Sequence, residues 1–148
     1  MSPKKWKDIY AKEFDSAAFG CIIELTETHE FIGYALLHIR EPKNRDGDFG
    51  FGLLPQFWGK GYGTEALEFI IEHAFRWFGL HRFSLGTFSP NERALKMYLK
   101  VGFTIEGRKR ECLWYDNKFV DIIDLGILRR EWAAKRWNAE EQKNVDEV

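Results

Sequence analysis

The segment Leu53-Leu54-Pro55-Gln56-Phe57-Trp58-Gly59-Lys60-Gly61-Tyr62-Gly63-Thr64 decides how the chain is read, because it joins a strand-like stretch to a helix-like one through glycines at alternate positions. Downstream of it, Leu67, Ile70, Ile71, Ala74 and Phe78 recur at steps of three and four residues, the period of a helix that buries one face. Gly79 is the expected stop. Alternating glycines let the backbone approach a ligand closely, and free N–H groups at a helix N-terminus favour anions. A pyrophosphate fits such a turn, while a merely tight strand-to-helix connection uses glycine with no ligand at all. The segment is not a Walker A loop, since no Gly-Lys-Ser/Thr closes it, and its spacing differs from the Gly-x-Gly-x-x-Gly of dinucleotide folds.

Upstream, Phe19–Thr26, Phe31–Ile39 and Asp48–Leu54 are rich in β-branched and aromatic residues and read as strands. Thr28-His29-Glu30 and Pro42–Gly47 separate them with turn chemistry. After the helix, His81–Phe88 reads as a strand. Ser89-Pro90-Asn91-Glu92 then predicts a helix start, with Ser89 as N-cap, Pro90 at the first position and Glu92 closing a capping box. That helix is expected to run to about Lys100, stopping near Gly102. Phe103–Trp114 and Phe119–Leu128 follow as a hairpin around Tyr115–Lys118. The order β-β-β-α-β-α-β-β predicts a mixed α/β (α+β) fold, a mostly antiparallel sheet with helices on its faces, and its crossover puts a ligand site where the third strand meets its helix. With 148 residues and no linker or repeat, one domain over 1–148 is expected. From Arg129 a charged tail carries Trp132 and Trp137 into an acidic end, expected to fray.

The formal net charge of −1 supplies no basic field for nucleic acid or an anionic membrane, so an anion must be held by local geometry. No apolar run in the first twenty residues suggests a signal or membrane segment, and the chain reads as intracellular, in the cytoplasm. Cys21 and Cys112 lie in apolar strand-like stretches, where a buried free thiol is the common outcome, and the four histidines are scattered, so no metal is expected. Most of the tryptophans, Trp58, Trp77, Trp114, Trp132 and Trp137, read as packing residues.

The stretches GLLPQFWGKGYGTEAL and SPNERALKMYLKVGF resemble two motifs of the GNAT superfamily of N-acetyltransferases, the first its acetyl-CoA signature Gln/Arg-x-x-Gly-x-Gly/Ala. Trp58 stands where many members have Gln or Arg, yet Trp-Gly-Lys-Gly-Tyr is common in the subgroup of ribosomal-protein-alanine and spermidine-type acetyltransferases. GRKRE and VDIIDLGILRREW are similar to that subgroup too. The resemblance implies acetyl-CoA as co-substrate. Trp58, Gly59, Lys60, Gly61, Tyr62, Gly63 and Thr64 would cradle its pyrophosphate, and Leu53 and Leu54 would meet the pantetheine arm through backbone hydrogen bonds. Asn91 would contact the cofactor, with Ala94 leaving room. Tyr98 matches the general acid that protonates the CoA thiolate, although sharing a helical face with Ala94 and Val101 it also fits a core role. Asp48 stands where the subgroup has a glutamate base, and equally fits an exposed strand-start aspartate. Among Glu111, Asp121 and Asp124, alternation turns one carboxylate inward. Trp114 and Tyr115 border a hairpin tip that would flank an acceptor.

Members of the subgroup begin with a strand and two helices, whereas about eighteen residues precede Phe19 here, a shortened N-terminal segment that would leave the edge of Phe19–Thr26 for that segment or a homodimer to cover. The function so implied is acetyl transfer to a primary amine, a protein N-terminus or a small polyamine-like molecule, through a ternary complex. A non-catalytic acyl-CoA-binding module and a folded interaction domain are the alternatives.

Overall fold

The computed structural model describes residues 3–136. One compact unit ends at Gly79 and a second begins at Leu80.

The first unit opens on a helix, α1 (Pro3–Ser16), where the sequence reads as a preamble of mixed charge with scattered aromatics. Three strands follow, β1 (Phe19–Glu24), β2 (Phe31–His38) and β3 (Asp46–Leu53). They pair antiparallel, with Cys21 opposite Ala35, Leu36 opposite Gly50 and His38 opposite Asp48. Because side chains alternate along a strand, the even-numbered residues Gly20, Ile22, Tyr34, Leu36 and His38 share one face with Asp48, Gly50 and Gly52. α1 lies on this face: Tyr10 and Phe14 each bring their rings to 5.5 Å from that of Tyr34. The opposite face receives α2 (Tyr62–Arg76), whose Phe69 and His73 rings pack on Phe19 at 6.2 and 4.8 Å. Leu67, Ile70, Ile71, Ala74 and Phe75 are fully buried beneath it, whereas Phe78, expected in the same stripe, lies past the end of the helix and is exposed.

α2 stops three residues before Gly79. The N–H groups of Trp77 and Phe78 both turn back onto the His73 carbonyl, at 3.0 and 3.1 Å, which closes the helix early; Gly79, at φ +61°, then redirects the chain. β3 begins at Asp46 rather than Asp48, since the turn Pro42–Asn44 ends in a left-handed Arg45 whose N–H closes on the Pro42 carbonyl.

The second unit holds β4 (Arg82–Phe88), α3 (Glu92–Val101), β5 (Thr104–Tyr115) and β6 (Lys118–Leu128). β6 pairs antiparallel with β4 on one side and β5 on the other, and the chain is helical again over 129–136. Phe83, Phe103, Ile123, Leu125, Ile127 and Ala133 form the core. The β5–β6 turn consists of Asp116 and Asn117 at φ +47° and +60°, the two left-handed positions that a two-residue hairpin requires. Trp137 and the acidic end lie outside the described residues. Six strands with antiparallel pairings and helices on the sheet agree with the expected mixed α/β class, and among the described residues no helix is long and apolar enough to cross a membrane.

Three expectations are corrected. Ser89 is not the cap of α3: its hydroxyl accepts the Asp121 N–H at 3.1 Å, and the cap is Asn91, whose Oδ1 accepts the Ala94 N–H at 3.2 Å. Cys112 is exposed, because a bulge between Lys109 and Leu113 lifts it out of the ladder; Cys21 is half-buried, and burial raises its thiol pKa. Trp58, Trp77 and Trp114 are more than half exposed, the second flanked by the Arg76 guanidinium 5.9 Å from its ring, so these indoles lie at the surface and not in the core.

Candidate functional site

In the first unit, β3 runs into the short turn Pro55–Phe57, and the alternating glycines lead directly into α2. Gly59 and Gly61 stand at φ +72° and +87°, and a Cβ on either would meet nothing within 4 Å. The turn is therefore left-handed and open. Gly61 is the N-cap of α2 and no side chain caps the helix. The N–H groups of its first residues, Tyr62, Gly63 and Thr64, lie at the end where a helix leaves donors without internal acceptors, and the positive end of the helix dipole adds to their pull on an anion. Lys60 sits with its ammonium 5.8 Å from the Phe57 ring centre, which keeps a cation at the same turn. Beside it a cleft of about 630 Å³ is lined by Tyr62, Ala66 and Phe69, but its rim also carries Glu24, Glu27 and Glu65. Three carboxylates disfavour an anion in that cleft.

Leu54 donates its N–H to the Ile32 carbonyl at 2.8 Å. This makes Leu53 and Gly33 a pair without mutual hydrogen bonds, so Leu53 turns its backbone groups away from β2. The Trp58 indole N–H takes the Leu53 carbonyl at 2.9 Å, leaving the Leu53 N–H aimed to that side. Trp58 thereby fixes the entry to the turn, a role that its place in the sequence motif did not disclose.

Asp48 occupies the far end of β3. Its Oδ2 receives Arg40 Nη2 at 3.0 Å and its Oδ1 the Phe49 N–H at 2.8 Å, so both carboxylate oxygens are engaged. Asp121 and Asp124 are engaged likewise, by Arg108 at 2.6 Å and Lys109 at 3.6 Å. The Glu111 N–H bond to Asp121 and then the Arg108 guanidinium hold that carboxyl below the usual aspartate range.

In the second unit, α3 carries Asn91, Ala94 and Tyr98. The Asn91 side-chain oxygen is spent on capping. Asn91→Ala is expected to cost about 1 kcal/mol of stability, the usual worth of an N-cap, read as a lower urea midpoint at unchanged slope. Tyr98 lies in the last turn of α3, where its carbonyl accepts the N–H groups of Gly102 and Phe103 at 3.2 and 3.0 Å. Its ring is half-buried and meets Phe103 edge-on at 5.9 Å. The backbone at Tyr98 is thus fixed by the helix end and the ring by the core.

A further cluster, which no sequence motif marks, lies on the face covered by α1. The His38 side chain is buried and its Nε2 makes no hydrogen bond, with the Glu13 carboxylate 3.5 Å away. The ring lies across Gly50, where an added Cβ would come within 3.2 Å of Nε2, and the Tyr34 hydroxyl stands over Gly52 in the same manner. Burial first, then Tyr10 and Glu13, raise the Tyr34 pKa above 10.0, so its hydroxyl stays protonated.

A family model described as an acetyltransferase (GNAT) domain matches residues 2–104. The uncharacterized N-acetyltransferase YoaA of Bacillus subtilis is 29% identical over 106 residues, 68% of this chain and 60% of that protein. The putative ribosomal N-acetyltransferase YdaF of the same organism is 29% identical over 104 residues, 70% of this chain and 57% of its own length. The chain thus spans about three fifths of the curated relatives that it matches. In solved structures, a spermidine N-acetyltransferase from Vibrio cholerae in complex with CoA and spermine superposes with a TM-score of 0.78 at 22% identity, covering 90% of this chain and 79% of that one, a likeness of fold.

Proposed function

The chain belongs to the GNAT acetyltransferase family, and from that premise we propose that it moves an acetyl group from acetyl-CoA to a primary amine, a protein N-terminus or a small polyamine-like molecule, by direct attack in a ternary complex. The two units are read as one acetyltransferase domain working in the cytoplasm. The observation that carries the proposal is the open left-handed turn at Gly59 and Gly61, which leads into a helix start with no side-chain cap. Trp58 to Thr64 bind the pyrophosphate mainly through backbone N–H groups, with Lys60 adding charge. Leu53 and Leu54 guide the pantetheine arm, and Asn91 and Ala94 border it.

Tyr98 is assigned as the general acid toward the departing sulfur. A thiolate is a good leaving group, its conjugate acid titrating near 8.5, so protonation assists it less than it would an alkoxide. Tyr98→Phe is accordingly expected to lower kcat only about tenfold, below the usual range for acid–base catalysis, with acetyl-CoA affinity unchanged. Asp48 enters as the partner of Arg40, since its oxygens are engaged. The direct test is calorimetric titration with acetyl-CoA, followed by CoA-thiol release with spermidine and with an alanine-terminated peptide. One-to-one binding and turnover of either amine support the reading. A folded protein that binds no acetyl-CoA sinks it.

A further inference from the structure

Resting on that transfer reaction, we infer that Glu13 takes the proton of the acceptor amine and that the buried His38 is the positioning residue that holds it. Three observations converge. His38 Nε2 is shut off from solvent and has no hydrogen-bond partner among the described residues, a costly state that a fold normally avoids. The atom is 3.5 Å from Glu13 Oε2, and while His38 is buried the Glu13 side chain is 56% exposed. The pair therefore has a fixed inner end and an open outer end, and a shift of roughly half an ångström closes it to hydrogen-bond length. Asp48, directly opposite His38 in register, is a second carboxylate on this face, and both its oxygens are committed to Arg40 and Phe49.

The surroundings suit an ammonium group. Glu13 supplies the charge, the Tyr10 and Phe14 rings of the same helix each lie 5.5 Å from the Tyr34 ring, and aromatic faces attract cations. Gly50 and Gly52 leave β3 without side chains beneath His38 and Tyr34. Among the described residues, the groups that stand by the pair are Tyr34 of β2, with Tyr10 and Glu13 acting on it, and the ion pair of Arg40 with Asp48, the residue opposite His38.

The proton balance is simple. An acceptor that arrives as R–NH3+ gives one proton to the Glu13 carboxylate, which passes it to water. The freed lone pair attacks the thioester carbon, the C–N bond forms, and the carbonyl opens to an oxyanion. Collapse breaks the C–S bond, and the second nitrogen proton ends on the departing CoA sulfur.

The test is Glu13→Gln in the full chain, with spermidine and the alanine-terminated peptide as acceptors and acetyl-CoA binding measured in parallel. At pH 7 kcat/KM for the amine should fall at least tenfold with acetyl-CoA affinity unchanged. The deficit should shrink toward pH 10, as free amine accumulates in solution. His38→Phe, which fills the site without a nitrogen, should shift the acid limb of the pH profile, and His38→Gln, with an amide near the Nε2 position, should restore part of it. A folded Glu13→Gln that matches wild type at every pH overturns the assignment, as does a loss that is constant across pH, which marks a structural role for the pair. Wild-type protein that binds no acetyl-CoA overturns the underlying reaction as well.

Discussion

Gly61→Glu should reduce acetyl-CoA affinity about 10³-fold, a loss of about 4 kcal/mol, while the protein stays folded. Gly61 stands at φ +87° with open space where a Cβ would project, so the substitution brings no clash. Its folding cost is the left-handed strain of a residue with a side chain, about 1 kcal/mol. The functional cost is larger because of where the carboxylate would stand. Gly61 is the N-cap of α2, and a carboxylate there accepts the helix N–H groups itself and repels the pyrophosphate that they would otherwise bind. Gly61→Asn is the control: asparagine tolerates positive φ and brings no charge, so most of the affinity should remain. Calorimetry beside far-UV circular dichroism distinguishes lost binding from lost structure, and a folded Gly61→Glu protein with wild-type affinity would remove the turn from the site.

What could be read in the sequence is what depends on near neighbours. The glycine turn, the β5–β6 hairpin and the α2 stripe from Leu67 to Ala74 are local patterns, and each stands where its period or turn chemistry puts it; Phe78 leaves the stripe because the helix closes before it. α1 escaped notice because its apolar residues form no continuous stripe; Tyr10 and Phe14 are useful only because Tyr34, on a strand that pairs with β1, comes to lie beneath them. The α3 cap was misassigned for the same reason. Ser89 has the right chemistry, but its hydroxyl is drawn to the Asp121 N–H across thirty-two positions of sequence, and Asn91 takes over.

The same division runs through the site. The proposed pyrophosphate turn is a contiguous motif. The proposed proton acceptor is not: Asp48 is one of two aspartates at a strand start in sequence, and its partner Arg40 becomes visible only once β2 and β3 are laid in register. Glu13 and His38 lie on different elements, joined only by packing of α1 on the sheet. Carboxylates are abundant in this chain, so position relative to a buried partner, and not residue type, sets one apart.

Phe83→Ala should destabilise the protein by about 4 kcal/mol, within the range for removal of a buried phenylalanine. Phe83 is 0% exposed on β4 and meets Phe103 edge-on at 6.1 Å, and Phe103 in turn supports the Tyr98 ring at 5.9 Å. The deletion removes transfer free energy and leaves a cavity on the side that braces Tyr98. For a chain of this size each kcal/mol lowers Tm by about 3 °C, so a fall of roughly 10 °C is expected in calorimetric melts. Phe83→Leu, which keeps most of the volume, should cost less than half as much. The functional consequence follows the same contacts. At a temperature where Phe83→Ala is still folded, kcat should drop in the direction of Tyr98→Phe while acetyl-CoA affinity changes little, since the glycine turn belongs to the other unit. If Phe83→Ala melts within about 2 °C of wild type, the Phe83–Phe103–Tyr98 stack is not what holds the second unit together.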